Sequence, residues 1–471
     1  IAALTADQLA VLTSTQLRAI ETNDVHAISL AGLAGLSALQ VGMLSTAQLA
    51  NLSSEQLQAL SDVQISGLST QQIASLSTDD LNAFSATQFQ QLSTAQIAAL
   101  TANQAANLQA EDITALSAAQ VRAFTTASIA AFGTDDLAAL TGEQLTGMTA
   151  AQRLAIETVD IHGLTLDALH SLSAAQVGAL TSRQITGLAD DQLQSLDETQ
   201  IGGLTTLQIS TLATADLLVL TDAQIQALST VQINALTVGQ VVGLDSTDFA
   251  LMSNAQLRAL GTDDIAAMSA NDISVLNADQ IAALSTAQVH AIESADLGAL
   301  SAGDLQEFTG TQVKAFGQQQ INALGTDDLQ ALTATQFAAL TTQQIRWLET
   351  ADIMALTNDQ IASLTNAQAA ALQTNQIVAL TNDHIGALSV NAIQSMSMAQ
   401  ALAFSTEDQS LMSGAQLSAL NALSPVVLDL DGNGVHTLAA AQGVQFDLAA
   451  TGTTGQYGWV GQGDGLLVRD I

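Results

Sequence analysis

The residues whose types and spacing most suggest chemistry lie near the end of the 471-residue chain. There, oxygen-bearing side chains stand at every second position and a glycine follows, which is the spacing of the first half of a calcium-binding loop. Such a loop takes its seventh-position ligand from a main-chain carbonyl and usually closes with a Glu at the twelfth, which here is Ala440. An Asp from elsewhere, Asp447 or Asp464, would have to complete the coordination sphere. The predicted calcium ligands are Asp429, Asp431, Asn433, the carbonyl oxygen of Val435, and Asp447.

These candidate ligands belong to a segment that differs from everything before it. The regular pattern of the chain stops after Leu420, and the only proline, Pro425, opens the new segment. Apolar alternation and frequent glycines predict short β-strands joined by turns. We therefore divide the chain into residues 1–420 and residues 421–471, and we assign the predicted calcium site to the small β-rich second part.

The second part resembles a known family in four short motifs. They are Leu-Asp-Leu-Asp-Gly-Asn-Gly at 428–434, Val-Gln-Phe-Asp-Leu at 444–448, Gly-Trp-Val at 458–460, and Asp-Gly-Leu-Leu-Val-Arg-Asp at 464–470. On these motifs, residues 425–471 resemble the calcium-associated segment of repeats-in-toxin (RTX) exoproteins. The resemblance implies bound calcium, type I secretion from a Gram-negative bacterium, and large adhesins, toxins or surface-layer proteins as relatives.

The chain departs from the RTX pattern in two places. Where the family often has a second Asp-Gly-Asp-Gly after Phe-Asp-Leu, this chain has Ala449-Ala450-Thr451-Gly452, so we expect no second calcium site there. Relatives commonly run on into another Asp-rich loop, so we expect the natural segment to extend past Ile471. The array that precedes the segment is also similar to octapeptide arrays of large exoproteins associated with adhesion or haem utilisation, which leaves haem open as a second cofactor.

Residues 5–420 repeat one eight-residue phrase. These 416 residues divide into 416/8 = 52 copies without insertion or deletion, and Ser93 to Leu100, Ser-Thr-Ala-Gln-Ile-Ala-Ala-Leu, is a clean example. Position 1 is usually Ser or Thr and position 4 is usually Gln or Asp, the pattern of a helix capping box. Positions 5 and 8 are apolar with few exceptions and share a helix face, while position 7 is small. Each copy therefore predicts one short capped helix, with position 8 toward the axis and the variable position 6 exposed.

Two other folds could carry a period of eight residues. A continuous α-helix would rotate its apolar stripe by about 80° per copy, so no fixed face could be buried. A β-solenoid would need alternating apolar residues and better strand formers than Ala and Gln. The sequence therefore predicts an all-α solenoid or superhelix for residues 1–420, built from very short helices that only stacking makes stable. Ile1 to Leu4 match the second half of a copy, so we expect the natural array to start earlier.

Composition excludes several classes of function. The chain has 44 acidic and 8 basic residues and a net charge of −36, which makes nucleic acid and anionic membranes poor partners. It has no cysteine for disulfides or thiolate metal sites, and no apolar run approaches the roughly 18 residues of a membrane span. No nucleophile elbow, phosphate loop or zinc motif appears. We therefore predict that the chain is not an enzyme and has no catalytic or cofactor-binding residues.

Three sets of residues inside the array leave alternatives open. His162 and His170, at position 6 of adjacent copies, could hold a metal or haem, or could be separate surface histidines. An acid pair within one copy, such as Glu349 with Asp352, could bind a hard cation or stabilise a helix N-terminus. Asp also replaces Gln at position 4 in steps of 7, 4, 3 and 3 copies, which suggests either a file of ion-binding carboxylates or interchangeable helix caps. This series comprises Asp24, Asp80, Asp112, Asp136, Asp160, Asp216, Asp248 and Asp272, and Asp304 does not fit it.

Together these observations predict a non-enzymatic extracellular structural protein. It would be a stalk, fibre or surface-lattice element of a large secreted adhesin-like protein at a bacterial cell surface. Self-association, other cell-surface proteins or glycans, and divalent cations are its expected partners. The alternative is a ligand-binding solenoid of an RTX exoprotein that holds a protein, a glycan, haem or a metal.

Overall fold

The computed structural model describes residues 1–423, 426–429, 444–446, 455–457 and 464–467. The chain forms two compact units, residues 1–244 and residues 245–471. In both units, one short helix follows another with the eight-residue period of the sequence. This confirms the predicted all-α solenoid of very short capped helices.

The helix bounds follow the octapeptide closely. Apart from two 3₁₀-helices, each helix of the array begins at position 2, directly after its cap residue, and all of these but the last end at position 5, 6 or 7. Ala118–Val121, Thr94–Ala98 and Gly142–Gly147 are examples with four, five and six residues. The last helix, Gly414–Asn421, starts in the same way but runs for eight residues. Helices this short are far below the length that is stable in isolation, so their stability must come from packing between copies.

The two exceptions are 3₁₀-helices, Thr22–Ala27 and Ile161–Gly163. Both lie in copies that open with Glu at position 1, where Ser or Thr is usual. The Glu21 side chain makes no capping hydrogen bond. Two further copies that open with Glu, at Glu293 and Glu349, form α-helices, so the missing hydroxyl cap does not by itself determine the tighter turn.

Positions 5 and 8 form the core of each unit. Leu57 at position 5 is fully buried, and Leu60 at position 8 is 3% exposed. The rings of Phe124 and Phe132, at position 8 of successive copies, pack edge to face with their centroids 5.5 Å apart. Position 8 side chains of neighbouring copies therefore meet inside the solenoid, together with the more deeply buried position 5.

One core position carries a charged residue. Arg153 stands at position 5, where most copies have Leu, Ile or Val, and is only 8% exposed. Its Nη1 donates a hydrogen bond to the carbonyl of Met148, and burial lowers the pKa of its guanidinium. The apolar face of the array thus tolerates a long polar side chain where the backbone offers an acceptor.

Contacts between copies define the turn of the solenoid. The helix Ala118–Val121 packs on Gly142–Gly147, three copies later. Side chains at position 6 reach a main-chain carbonyl 25 residues ahead, and those at position 4 reach carbonyls 28 and 31 residues back. Since three copies span 3 × 8 = 24 residues and four span 32, one turn contains between three and four copies.

Within the described residues, four short strands follow the helix Gly414–Asn421. Val426–Asp429 pairs antiparallel with Asp464–Leu467, and Val444–Phe446 pairs antiparallel with Gly455–Tyr457. These strands agree with the β-rich character predicted for this part. Within the described ranges, no helix is long and apolar enough to cross a bilayer.

The small residue at position 7 permits close approach of neighbouring turns, as the sequence predicts. A Cβ added to Gly67 would lie 2.5 Å from the carbonyl oxygen of Ala38, whereas one added to Gly386, at position 6, would meet no atom within 4 Å. We therefore expect Gly67→Ala to lower the free energy of unfolding by about 1 to 2 kcal/mol, because the turns must separate. Gly386→Ala, inside a helix, should be neutral or slightly stabilising. Urea unfolding followed by circular dichroism compares the two variants, and equal midpoints would contradict the close approach at Gly67.

Candidate functional site

The most regular polar site of the molecule is the glutamine at position 4. In the copy Ser93 to Leu100, Gln96 Oε1 accepts a hydrogen bond of 2.7 Å from the Ser93 amide, and Ser93 Oγ accepts one of 3.3 Å from the Gln96 amide. This is the predicted capping box. In addition, Gln96 Nε2 donates to the carbonyl oxygens of Ile65 and Leu68, at 3.0 and 2.8 Å. One amide group therefore caps its own helix and binds the copy that lies four copies earlier.

The same double contact recurs along both units. The Nε2 atoms of these glutamines lie 2.7 to 3.0 Å from the position 8 carbonyl oxygen 28 residues earlier. Buried glutamines of this kind include Gln48, Gln64, Gln72, Gln104, Gln144, Gln184, Gln232, Gln240, Gln312, Gln320, Gln344, Gln376 and Gln400. We call this hydrogen bond between a position 4 side chain and the copy four copies earlier the turn-to-turn bond.

Residues that replace glutamine show what position 4 requires. His384 Nδ1 accepts a hydrogen bond from the Thr381 amide, so the ring proton is on Nε2, which lies 2.7 Å from the Leu356 carbonyl oxygen and donates to it. Ser128 Oγ points at the Leu100 carbonyl oxygen at 3.5 Å. No copy has Glu at position 4, although Glu serves a capping box as well as Gln does. Position 4 therefore favours a side chain that both donates and accepts, although fourteen copies have Asp there and three have Gly or Ala.

Sequence reasoning missed this second role. A capping box explains why position 4 has a hydrogen-bond acceptor. If Gln and Asp were interchangeable helix caps, there would be no reason to prefer an amide to a carboxylate. The signal that could have revealed the turn-to-turn bond is the complete absence of Glu beside abundant Gln. A side chain that must only accept would not discriminate so strongly between the two.

Side chains at position 6 also contribute to the stacking. Asn82 Nδ2 donates to the Asn107 carbonyl oxygen at 2.9 Å, and Gln194 Nε2 to that of Val219 at 2.8 Å. The Nδ1 atom of His290 lies 3.0 Å from the Ala315 carbonyl oxygen, and that of His170 lies 3.4 Å from the Ser195 carbonyl oxygen. Position 6 is therefore exposed but engaged, because its polar tip reaches the main chain of the copy three copies ahead.

The structure does not assemble a metal centre from the array residues. Among the described residues, no group of three or more His, Asp or Glu side chains could hold a metal ion, and this includes His162 and His170. In the acid pair of Glu349 and Asp352, the aspartate Oδ2 accepts from the Glu349 amide at 2.7 Å. The Glu349 side chain itself makes no capping hydrogen bond. Asp352 therefore acts as a helix cap, one of the two roles left open for such pairs.

Several aspartates at position 4, among them Asp80, Asp136 and Asp264, keep the capping bond but lack an amide to donate. Asp264 and Asp328 also occupy this position, so the series of 7, 4, 3 and 3 copies is interrupted and does not describe every replacement. Burial raises the pKa of four of these carboxyl groups, partly offset in each case by a hydrogen bond from the cap amide. The four are Asp112, Asp136, Asp264 and Asp352. For Asp112 the pKa rises from 3.8 to about 6, and the neighbouring charge of Glu111 adds to the effect of burial.

The predicted calcium ligands are only partly within the described residues. Asp429 ends the strand Val426–Asp429 and is the register partner of Asp464 in the antiparallel pair. The other predicted ligands, Asp431, Asn433, Val435 and Asp447, lie outside the described residues. The pairing brings one candidate ligand together with Asp464, which the sequence offered as an alternative to Asp447.

Comparison with known families finds two matches. A family described as the ALTTAQ repeat matches residues 17–54, 46–78, 74–110, 105–142, 154–190, 209–246, 241–274, 259–291, 289–326 and 345–382, which together cover more than half of the chain. The SPM domain matches residues 426–471. None of the curated proteins matches the chain.

Replacing a position 4 glutamine with glutamate isolates the turn-to-turn bond. Gln96→Glu keeps the acceptor for the Ser93 amide but places a carboxylate against the carbonyl oxygens of Ile65 and Leu68. We expect a loss of at least about 2 kcal/mol in local stability, because a buried donor is lost and a buried charge is added. Hydrogen exchange of the segment 65–72, read by mass spectrometry, should report the loss.

Gln16→Glu is the matched control for this variant. Gln16 is exposed and forms the same capping box with Thr13, while its Nε2 donates to no group of the described residues. We expect its exchange to stay close to that of the unaltered protein. If Gln96→Glu behaved like Gln16→Glu, the turn-to-turn bond would not contribute to stability.

Proposed function

We propose, from the premise that the chain belongs to the ALTTAQ repeat family, that its helical units are non-enzymatic structural elements. In this proposal they form a stalk, fibre or surface-lattice element of a large secreted adhesin-like protein at a bacterial cell surface. The observation that carries the proposal is the turn-to-turn bond. It recurs copy after copy with nearly constant lengths, as in Gln48, Gln344 and Gln400. Such uniform stacking suits a length-setting element, since repeats of this kind add length without changing their neighbours.

Charge supports an extracellular assembly that responds to cations. The chain has 44 acidic and 8 basic residues. Acidic side chains recur at position 3 of copies that stack on one another, where Glu143, Asp167 and Asp191 follow at intervals of three copies. Copies of the chain repel one another at low salt, and divalent cations that bridge such rows would draw them together.

The second part of the proposal is a calcium-binding, RTX-like carboxyl-terminal segment. Its support is the resemblance of residues 425–471 to RTX segments and the register of Asp429 opposite Asp464. Calcium takes carboxylate oxygens as ligands, and each of these two paired strands carries one Asp that is a candidate ligand. Calcium would then stabilise this segment after secretion into a calcium-rich medium.

Titration of the whole chain with calcium tests the carboxyl-terminal site. We expect Asp431→Asn to weaken calcium binding at least about tenfold, since it removes one charged ligand from the loop. Asp167→Asn, which removes one exposed charge from the array, is the matched control and should leave the tightest site unchanged. Isothermal titration calorimetry measures both variants. An unchanged affinity in Asp431→Asn would contradict the predicted ligand set.

Electron microscopy of the purified chain tests the assembly. We expect ordered fibres or sheets in millimolar calcium and separate particles in chelator, because calcium bridges acidic rows. Sodium chloride at matched ionic strength distinguishes bridging from simple screening and should produce fewer assemblies. Separate particles under all three conditions would contradict a self-associating fibre or lattice.

A groove of about 790 Å³ in the first unit favours the second candidate, a ligand-binding solenoid. It is lined by Glu111, Asp135 and Asp136 together with main-chain and small side chains. This lining suits a cationic ligand, such as a basic segment of a cell-surface protein. Binding of a basic peptide by a chain that stays monomeric in calcium would support this candidate over the fibre.

A further inference from the structure

A position 4 side chain can accept a hydrogen bond from the cap amide and donate one to the copy four copies earlier. An aspartate can do both only when its carboxyl group is neutral. Gln and His384 accept from the cap amide and also donate to the carbonyl oxygen 28 residues earlier. An ionised carboxylate accepts but cannot donate. A neutral carboxyl has one O–H group and therefore offers the same pair of functions as an amide.

Asp112 is the position 4 aspartate at which the missing donor is most evident. Its side chain is 3% exposed, and its Oδ2 atom is buried without a hydrogen-bond partner. Among the described residues, the one other buried side-chain atom without a partner is Oδ1 of Asn82. Asn82 belongs to the copy four copies before Asp112, and its Nδ2 donates to Asn107, in the copy directly before that of Asp112. The two unpartnered oxygens thus belong to the same junction between turns.

The register of the array identifies an acceptor at this junction. The carbonyl oxygen 28 residues before Asp112 is that of Phe84, which is equivalent to Leu68 opposite Gln96 and Leu356 opposite His384. No donor to the Phe84 carbonyl oxygen is found among the described residues. The junction between the copies of Phe84 and Asp112 therefore contains oxygen acceptors and lacks the proton donor that Gln96 and His384 supply at their junctions.

The surroundings of Asp112 supply no positive charge. Glu111 lies on its own helix, Ala110–Ala115, and Asp135 and Asp136 lie on the packed helix Thr134–Ala138. The helix Ala86–Gln91, which also packs on Ala110–Ala115, has no titratable side chain. The helix Thr78–Leu81 carries Asp79 and Asp80 and belongs to the copy that contains Phe84. The titratable groups on these helices are therefore all acidic and favour the neutral form of Asp112.

We propose that Asp112 is a proton-operated latch between two turns of the first unit. When neutral, its Oδ2–H donates to an oxygen of the facing copy, the Phe84 carbonyl or Asn82 Oδ1, and completes a turn-to-turn bond. When ionised, the carboxylate faces those oxygens without a donor, and the junction loosens. This local role goes beyond the proposed structural function and does not depend on calcium binding or assembly.

The sign of the pH effect follows from the raised pKa of Asp112, about 6 against 3.8 for an ordinary carboxyl. The folded junction prefers the neutral group, so this contribution to stability is complete below about pH 3.8. It is lost as the pH rises through about 6 and does not change further above that. The local opening equilibrium should therefore shift on the order of 100-fold between these two limits.

Hydrogen exchange of the full chain, compared with Asp112→Gln, tests the latch. Gln is the usual residue at this position and supplies a donor at every pH. We expect the protection of segments 81–84 and 107–112 to be similar in the two proteins near pH 4. Above about pH 6 the unaltered chain should be less protected there, on the order of 100-fold. Comparing the proteins at each pH cancels the intrinsic pH dependence of exchange.

A second variant and a calcium arm make the result decisive. Asp216→Gln changes a part-exposed aspartate at the same position of the first unit, where water can solvate the carboxylate. The ratio of hydrogen-exchange protection between this variant and the unaltered chain should therefore vary little with pH. The latch would be overturned if the protection of Asp112→Gln relative to the unaltered chain did not change with pH. It would also be overturned if the relative protection of Asp216→Gln rose with pH by the same factor. Full recovery of protection in the unaltered chain on adding millimolar calcium near pH 7.5 would overturn it too, because the occupant would then be a metal ion.

Discussion

Two functions of a single amide group hold each unit together. The oxygen of a position 4 glutamine such as Gln96 caps the helix that contains it, and the nitrogen binds the copy four copies earlier. Local folding and stacking therefore depend on the same side chain. Capping alone is not sufficient, because a helix of about five residues is unstable in water. Stacking alone is not sufficient either, because the register between copies depends on where each helix begins. Because most of these amides are buried, as that of Gln96 is, their two ends must both be satisfied, which makes the arrangement specific as well as stable.

The hydrophobic residues stabilise each unit together with the capping boxes and the turn-to-turn bonds. Positions 5 and 8 are three residues apart, so one short helix presents both to the interior and buries them almost completely, as at Leu57 and Leu60. Apolar burial is not directional and would allow neighbouring turns to slide past each other. The turn-to-turn bonds remove that freedom, because a shift of one residue would break every amide contact in a turn. Position 6 side chains such as Asn82 and Gln194 add a second set of contacts in the opposite direction along the chain.

Much of the fold could be predicted from the sequence because its causes are local. The hydroxyl at position 1, the acceptor at position 4 and the apolar pair of positions 5 and 8 all act within one copy. The number of copies per turn could not be predicted in this way, because a period of eight residues is compatible with any such number. The acceptors that Gln96 and His290 reach depend on that number and could not be derived. The predicted calcium ligands remain a prediction, except that the strand register places Asp429 opposite Asp464.

The contrast between glutamine and aspartate at position 4 shows how such an array can acquire local differences without losing its fold. An amide keeps its donor at every pH, so most junctions are insensitive to the medium. A carboxyl group has the same hydrogen-bonding pattern only with its proton, and burial among other acids is what favours that form at Asp112. A more exposed aspartate such as Asp216 can rely on water instead. The consequence of one replacement is therefore set by its depth in the stack, so copies that look equivalent in sequence need not respond alike.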